Sequence, residues 1–375
     1  MLKWFSILYG LMSGFMIFGL NRLKRITEDR SEKDLPTLSV VIAARNESSN
    51  IPELIKSLKN QNYPADKVSF WLIDDESEDD TYEDAKEAVD GDNRFHILKT
   101  DPDSAVLSPK KRALDTGIRL TDSDWIVTTD ADCTPDEGWL RAFAKFMQAE
   151  IGAVVGYAPL TGGQGVVEWL AEGESWSAAA LAASGIGLGF PFNAMGRNFA
   201  FRRKIYLDLG GYGFGGKMAS GDDDLFLQHI ASKTNWKVAF AFDPDAIVPS
   251  KVPDGKNVYE TKSRHMSAGP KYAPGWVAVG FVGNLLFMGL ALATIRGMIT
   301  GSGLRSIGKA WQIKWLFDSL MYGSGIRVLG DPFRGFKAVL AMSVAPFAFW
   351  AIWPKALFGT VTWKGRSFAR GQVNK

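Results

Sequence analysis

Cysteine is nearly absent from this sequence: Cys133 is the single one in 375 residues. That excludes an internal disulfide framework and any zinc site built from several thiolates. Net charge is scarce too, since 43 basic residues against 41 acidic ones leave +2, too little for the electrostatic footprint of a nucleic-acid binder. No internal repeat runs through the chain, and at 46% hydrophobic residues it is not a disordered polymer. Its length allows one large core or two smaller ones.

What the chain has instead is charge sorted into segments. Residues 74–84 hold eight carboxylates, whereas Arg22, Lys24 and Arg25, and later Lys364, Arg366 and Arg370, flank apolar runs. The most telling acidic pair is Asp130-Ala131-Asp132, directly after the apolar run 125–129 and ahead of a helix start expected at Thr134-Pro135-Asp136-Glu137. Two carboxylates about 4 Å apart repel by roughly 4 kcal/mol at an effective dielectric of about 20. A divalent cation cancels that repulsion, and hard oxygen ligands with open positions suit Mg²⁺ or Mn²⁺ carrying substrate phosphates. The competing reading is a solvated turn whose aspartates cap the next helix.

Three apolar stretches lie outside the central region. Residues 4–20 carry no charge, a run of about 26 Å at helical rise against a hydrocarbon core of about 30 Å. It ends in Asn21-Arg22-Leu23-Lys24-Arg25 and not in a small-residue cleavage site, so residues 1–25 read as a transmembrane anchor with a basic flank. That flank puts the following chain on the cytoplasmic side. Residues 272–299 form a second expected span, and residues 336–375 a third with a basic tail. Between them, in 300–335, Trp311, Trp315, Leu316, Leu320 and Tyr322 recur at helical spacing beside Lys309, Lys314 and Asp318, the pattern of an amphipathic helix lying in the interface. The expectation is a multi-pass membrane protein.

Residues 36–270 alternate short β-branched runs with helical periodicity, which argues for an α/β domain with a mainly parallel sheet. Strands are expected at 38–44, 68–73, 95–98 and 125–129, with helices at 81–89 and 111–119. Asn50 and Glu53 resemble a capping box ahead of Ile51, Leu54, Ile55 and Leu58. Arg45-Asn46-Glu47, Asp74-Asp75-Glu76 and Asp130-Ala131-Asp132 each follow a strand. They therefore share the carboxyl edge, where ligands bind in open sheets.

Taken in order, these segments resemble the family 2 glycosyltransferases over about residues 38–266. The run Ser39-Val40-Val41-Ile42-Ala43-Ala44-Arg45-Asn46-Glu47 is similar to the family's opening strand and loop. By that resemblance Ala43, Arg45 and Glu47 hold the base and ribose of a nucleotide sugar, and Asp75 accepts a hydrogen bond from the base. Pro109-Lys110-Lys111-Arg112-Ala113-Leu114-Asp115 is similar to the segment whose lysine approaches the donor pyrophosphate, with Pro109 and Asp115 departing from the family's Gly and Asn. Asp132 is then the metal ligand, with Asp130 near the ribose or in the metal shell. Gly210-Gly211-Tyr212 and Gly221-Asp222-Asp223-Asp224-Leu225 resemble the acceptor-side motifs. Asp222 stands where Glu is usual, and Asp223 is the candidate general base. Sequence does not rank Asp222, Asp223 and Asp224, which also suit a helix cap. Thr261-Lys262-Ser263-Arg264-His265 lies where many members have Gln-x-x-Arg-Trp. Only Arg264 is kept, as a diphosphate contact, so the resemblance implies single transfers and not processive polymer synthesis. Val361-Thr362-Trp363-Lys364-Gly365-Arg366 is similar to a tail found in membrane-bound members.

The resemblance implies a GT-A type nucleotide-sugar-binding domain, a Rossmann-like mixed sheet facing the cytoplasm between N- and C-terminal transmembrane helices. It implies an inverting transfer from a UDP- or GDP-linked sugar to a lipidic or membrane-delivered acceptor, with Mn²⁺ or Mg²⁺ as cofactor. A metal-dependent nucleotidyltransferase and a non-catalytic scaffold with a degenerate nucleotide site are the rival readings.

Overall fold

The computed structural model describes residues 2–101, 108–215, 218, 220–364 and 366–369; Arg370 of the expected basic tail lies outside them. One seven-stranded sheet organises the chain. Its strands are β1 (Leu38–Ala44), β2 (Val68–Asp74), β3 (Phe95–Lys99), β4 (Trp125–Asp130), β5 (Ile151–Val155), β7 (Phe199–Arg202) and β8 (Lys237–Phe240). Two-residue strands β6 (Leu160–Thr161) and β9 (Ser250–Lys251) pair apart from it, and β10 (Thr360–Trp363) and β11 (Arg366–Ala369) form a hairpin. The order is β3-β2-β1-β4-β7-β5-β8. The four N-terminal strands run parallel, and β7 enters antiparallel between β4 and β5. The expected α/β architecture is therefore present, with its mixed half in the less regular second part of the domain. Along β1 all residues but Ala43 are buried, as a strand covered on both faces requires.

Around the sheet lie α2 (Ile51–Lys59), α3 (Thr81–Val89), α4 (Pro109–Leu120), α5 (Trp139–Phe146), α6 (Val166–Gly187), α7 (Arg203–Asp208), α8 (Asp224–Lys233) and α9 (Gly255–Met266). In α2 the apolar stripe Ile51, Leu54, Ile55 and Leu58 is fully buried, each side chain contributing about 1.5–3 kcal/mol. Its expected capping box does not form. Asn50 is already helical, and its amide side chain donates to Glu47 Oε2 at 2.7 Å, while the Glu47 carbonyl takes the N–H groups of Asn50 and Ile51. The helix expected from Thr134 starts only at Trp139, because Cys133 bridges Ser250 and Thr134 N–H donates to the Pro249 carbonyl at 3.0 Å.

Four long helices complete the chain: α1 (Leu2–Arg22), α10 (Pro274–Thr300), α11 (Leu304–Leu329) and α12 (Pro332–Phe358). By length and composition α1 and α10 could each cross a membrane, and few of their residues are buried. Trp4, Leu11, Phe15, Phe281, Leu292 and Ile299 stand exposed on them. Helix α11 differs from the expected interfacial helix. Lys314 and Asp318, expected on a solvated face, are buried and paired at 2.6 Å, since α11 packs between α1 and α12.

These helices belong to the same core as the sheet, for one buried apolar cluster runs from Leu20 through the strands to Ala338. Two contacts explain the close approach. A Cβ on Gly19 would lie 2.3 Å from the Ser184 carbonyl oxygen, and one on Gly187 would lie 2.0 Å from that of Gly19. Helices α1 and α6 thus touch backbone to backbone. A Cβ on Gly173 would likewise lie 2.5 Å from the Lys337 carbonyl, where α6 meets α12 beside the buried Glu172–Lys337 ion pair.

Candidate active site

Parallel register sets the site. Ala44 pairs with Asp74 and Ala43 with Asp130, so the loops after β1, β2 and β4 leave the sheet side by side at its carboxyl edge. Helix α4 begins against that edge with three successive basic residues whose side chains diverge. Lys110 Nζ stands 2.9 Å from Asp130 Oδ1 and 3.0 Å from Asp222 Oδ2. Lys111 Nζ donates to the Ser220 carbonyl at 2.8 Å, and Arg112 Nη2 donates to Asp75 Oδ1 at 2.8 Å. One helix turn therefore ties the β2 loop, the β4 loop and the Asp222–Asp224 segment together.

At the β1–β2 end, Asp75 is fully buried and both its oxygens are engaged, Oδ1 by Arg112 and Oδ2 by Arg366 of β11 at 2.9 Å. Arg45, also buried, donates to the Asp75 carbonyl at 2.7 Å and to Glu78 Oε1 at 2.8 Å. Glu47 pairs with Lys364 at 2.6 Å, and its backbone N–H donates to Thr81 Oγ1. The β10–β11 hairpin thus lies across Glu47, Asp75 and Glu76, and Thr362 anchors its other side to Glu260 of α9 at 2.9 Å. Arg112 Nε is buried there without a partner among the described residues.

At the other end, Asp223 caps α8. Its Oδ1 accepts from Asp224 N–H and its Oδ2 from Gly196 N–H, both at 2.7 Å. Asp224 Oδ1 accepts from Leu225 N–H at 2.6 Å, and Oδ2 accepts from the Tyr272 hydroxyl. Burial, then the charge of Asp222, hold the Asp223 carboxyl above its ordinary range. Burial acts on Asp222 too, but Lys110 and Lys111 outweigh it and keep that group below the carboxylate range. Neighbouring carboxylates of different basicity result, the arrangement that separates a proton acceptor from a permanent anion. A Cβ at residue 196 would lie 3.1 Å from Asp223 Oδ2, so Gly196 lets the chain approach the carboxylate and donate to it.

Asp132 sits across from this pair. Its Oδ2 accepts from Ser250 Oγ at 3.3 Å, and burial, then the Asp130 charge, raise its carboxyl. Lys110 serves Asp130, while among the described residues no cation lies within ion-pair distance of Asp132. Among the described residues no three His, Cys, Asp or Glu side chains gather into a complete metal cage. Two carboxylates with one charge unmatched fit a Mg²⁺ or Mn²⁺ ion that takes its other oxygens from water and substrate. Arg264 of α9 faces the cluster within electrostatic reach of Asp222, Asp130 and Asp223, and its Nη2 lies 3.1 Å from His265 Nε2.

Sequence reasoning missed Arg112, Gly196, Ser250 and Tyr272, and read Arg366 as part of a basic flank and of a membrane-bound tail, with no place in the site. The basic run Lys110-Lys111-Arg112 at a helix start was the available signal for Arg112; nothing local marks the others.

Residues 39–218 match the family model described as glycosyl transferase family 2. The probable glycosyltransferase YdaM of Bacillus subtilis is 26% identical over 288 residues, which are 72% of this chain and 64% of that protein. The beta-monoglucosyldiacylglycerol synthase of Nostoc sp. is 31% identical over 121 residues, 32% of this chain and 25% of that protein. The chain is matched to less than two thirds of either relative's length. The solved mannosyltransferase PcManGT from Pyrobaculum calidifontis, a complex with GDP-Man and Mn²⁺, superposes with a TM-score of 0.52 at 16% identity, over 94% of this chain and 90% of that one. That likeness is one of fold, the GT-A type.

Proposed function

Residues 39–218 match glycosyl transferase family 2, and from that premise we propose that the chain is a glycosyltransferase that moves a sugar from a UDP- or GDP-linked donor to a lipidic acceptor with inversion at the anomeric carbon. The observation that carries the reading is Lys110, whose ammonium joins Asp130 of the strand-end pair to Asp222 beside Asp223. Donor and acceptor chemistry then share one cleft. The loops bearing Ala43, Arg45, Glu47 and Asp75 receive base and ribose, and Lys110 and Arg264 face the diphosphate. Asp132 and Asp130 would hold Mn²⁺ or Mg²⁺, which when bound offsets the charge developing on the departing diphosphate. Asp223 takes the proton of the acceptor hydroxyl as its oxygen attacks. Gly196 N–H fixes the carboxylate in place, and burial keeps it basic enough to serve. The absent Gln-x-x-Arg-Trp motif favours one transfer per acceptor.

Membrane residence supports the lipidic acceptor. Helices α1, α10 and α12 are proposed to cross the bilayer, with the sheet on its cytoplasmic side, because their exposed faces are rich in Phe, Leu, Val and Ile. An enzyme held at the bilayer meets amphiphiles at raised local concentration. The test is a screen of UDP- and GDP-sugars with detergent-solubilised protein and Mn²⁺ or Mg²⁺. Release of nucleoside diphosphate is the expected result. Release of pyrophosphate would mean nucleotidyl transfer, and no metal-dependent release from any donor would mean that the site is not catalytic.

A further inference from the structure

A cavity of about 680 Å³ opens among α1, α6, α9, α10, α11 and α12, within the size range of sites for small organic ligands, which is about 300–1,000 Å³. Its wall is apolar over most of its extent, with Met12, Met16, Leu286 and Met342 on different helices. One end adjoins the catalytic acids. Tyr272 lines the cavity and donates its hydroxyl to Asp224 Oδ2. Phe192 and Trp276, stacked at 4.0 Å, stand beside it, and the Phe192 carbonyl accepts from Gln228 of α8 at 2.9 Å. Trp176 also lines the cavity, and its indole N–H is buried without a partner among the described residues.

The charges in the wall are matched. Asp318 pairs with Lys314 at 2.6 Å and accepts from the Tyr9 hydroxyl. No lysine or arginine is among the described lining residues. His265 stands 3.1 Å from the Arg264 guanidinium, which disfavours a second positive charge on its ring. Behind the wall, Lys337 is taken up by Glu172 and Lys262 by Glu174. At the end next to α8 stand the carboxylates Asp222, Asp223 and Asp224, and the cations that face them are Lys110, 3.0 Å from Asp222, and Arg264, the two assigned above to the donor diphosphate. A lipid phosphate brought here would leave water, stand against three acids, and have only the two cations that the donor diphosphate already takes up. A hydroxyl suffers neither cost, and an indole N–H can donate to it.

Building on the proposed transferase, we infer that this cavity holds the acceptor's hydrocarbon part, and that the acceptor is a lipid with an uncharged headgroup, a neutral lipid alcohol and not a lipid phosphate or an acidic phospholipid. In the transfer the lipid oxygen forms a bond to the anomeric carbon while the bond from that carbon to the diphosphate oxygen breaks. The bonding electron pair leaves with the nucleoside diphosphate, and the hydroxyl proton passes to Asp223. The products are an uncharged glycolipid and the free nucleotide.

A binding assay tests this without a known donor. The full chain in detergent micelles is titrated with brominated dioleoylglycerol or brominated dioleoylphosphatidic acid, which share their acyl chains, and quenching of tryptophan fluorescence is read. The glycerol lipid is expected to quench at a mole fraction lower by about tenfold or more. Gly280 lines the cavity, and a Cβ there meets nothing within 4 Å, so Gly280→Phe is expected to fill the space and abolish the difference while the far-ultraviolet circular dichroism of the parent is kept. Equal quenching by the two lipids, stronger quenching by the phosphatidic acid, or a preference that survives Gly280→Phe would overturn the inference. The donor-release screen judges the transferase reading separately, so the two can fail independently.

Discussion

Arg366 donates from Nη1 to Oδ2 of Asp75 at 2.9 Å across 291 positions of sequence. With Arg112 on the other oxygen, both oxygens of a fully buried carboxylate are engaged. A nucleotide base that donates a hydrogen bond to Asp75 must therefore compete with the hairpin. Adding UDP or GDP should speed amide hydrogen exchange over residues 361–363 and 366–369, and Arg366→Gln should produce the same loosening without nucleotide. Slower exchange on adding nucleotide would mean instead that the hairpin closes over the bound donor.

Asp223→Asn should lower kcat by roughly 10²–10⁴-fold, the usual weight of a positioned general base. The side-chain amide retains an oxygen that can accept from Gly196 N–H, so the Kd for nucleoside diphosphate should stay within about twofold of the parent's. Calorimetry beside single-turnover kinetics separates the two effects. Unchanged turnover would move the base elsewhere.

The acid side of the pH profile carries its own sign. Burial and the charge of Asp222 raise the Asp223 carboxyl, and a base works only when deprotonated. Turnover should therefore fall, as pH drops, at a higher pH than the ordinary aspartate value of about 4 would give. Asp222→Asn removes a like charge and leaves Lys110 with one fewer anion to satisfy. Both changes should move that fall to lower pH in a kcat profile, and an unmoved limb would count against the pairing.

Lys110→Met strands Asp130 and Asp222, each of which loses its ion-pair partner. Uncompensated carboxylates in a water-poor cleft should cost about 3 kcal/mol, seen as a fall of roughly 3–5 °C in Tm for a chain of this length. Added Mn²⁺ should restore part of that loss, since a cation at the Asp130–Asp132 pair supplies the missing positive charge. Scanning calorimetry with and without the metal reads both effects, and a Tm insensitive to Mn²⁺ would argue against metal at that pair.

Much of the sheet was readable because its signal is local. The run 38–44 is apolar but for Ser39, as a strand covered on both faces must be, and the stripe Ile51, Leu54, Ile55 and Leu58 marks one face of a helix. Errors arose where distant groups override local preference. Thr134 looks like a helix start, yet the Pro249 carbonyl holds it in an extended connection. Lys314 and Asp318 look like a solvated face until each is seen to satisfy the other under a neighbouring helix. In the cleft, the residue types and their order along the chain could be read from sequence, but their pairing could not. Nothing near Lys110 announces Asp222, and nothing near Asp75 announces Arg366, because those partners meet only after the sheet and the last hairpin are in place.

The glycine contact between α1 and α6 removes any wrist from the molecule. With Gly19 and Gly187 letting two main chains lie in direct contact, the first helix cannot act as a loose leash on which the sheet swings. Whatever surface receives that helix also dictates the depth and heading of the cleft, so substrates must travel to the enzyme's fixed station.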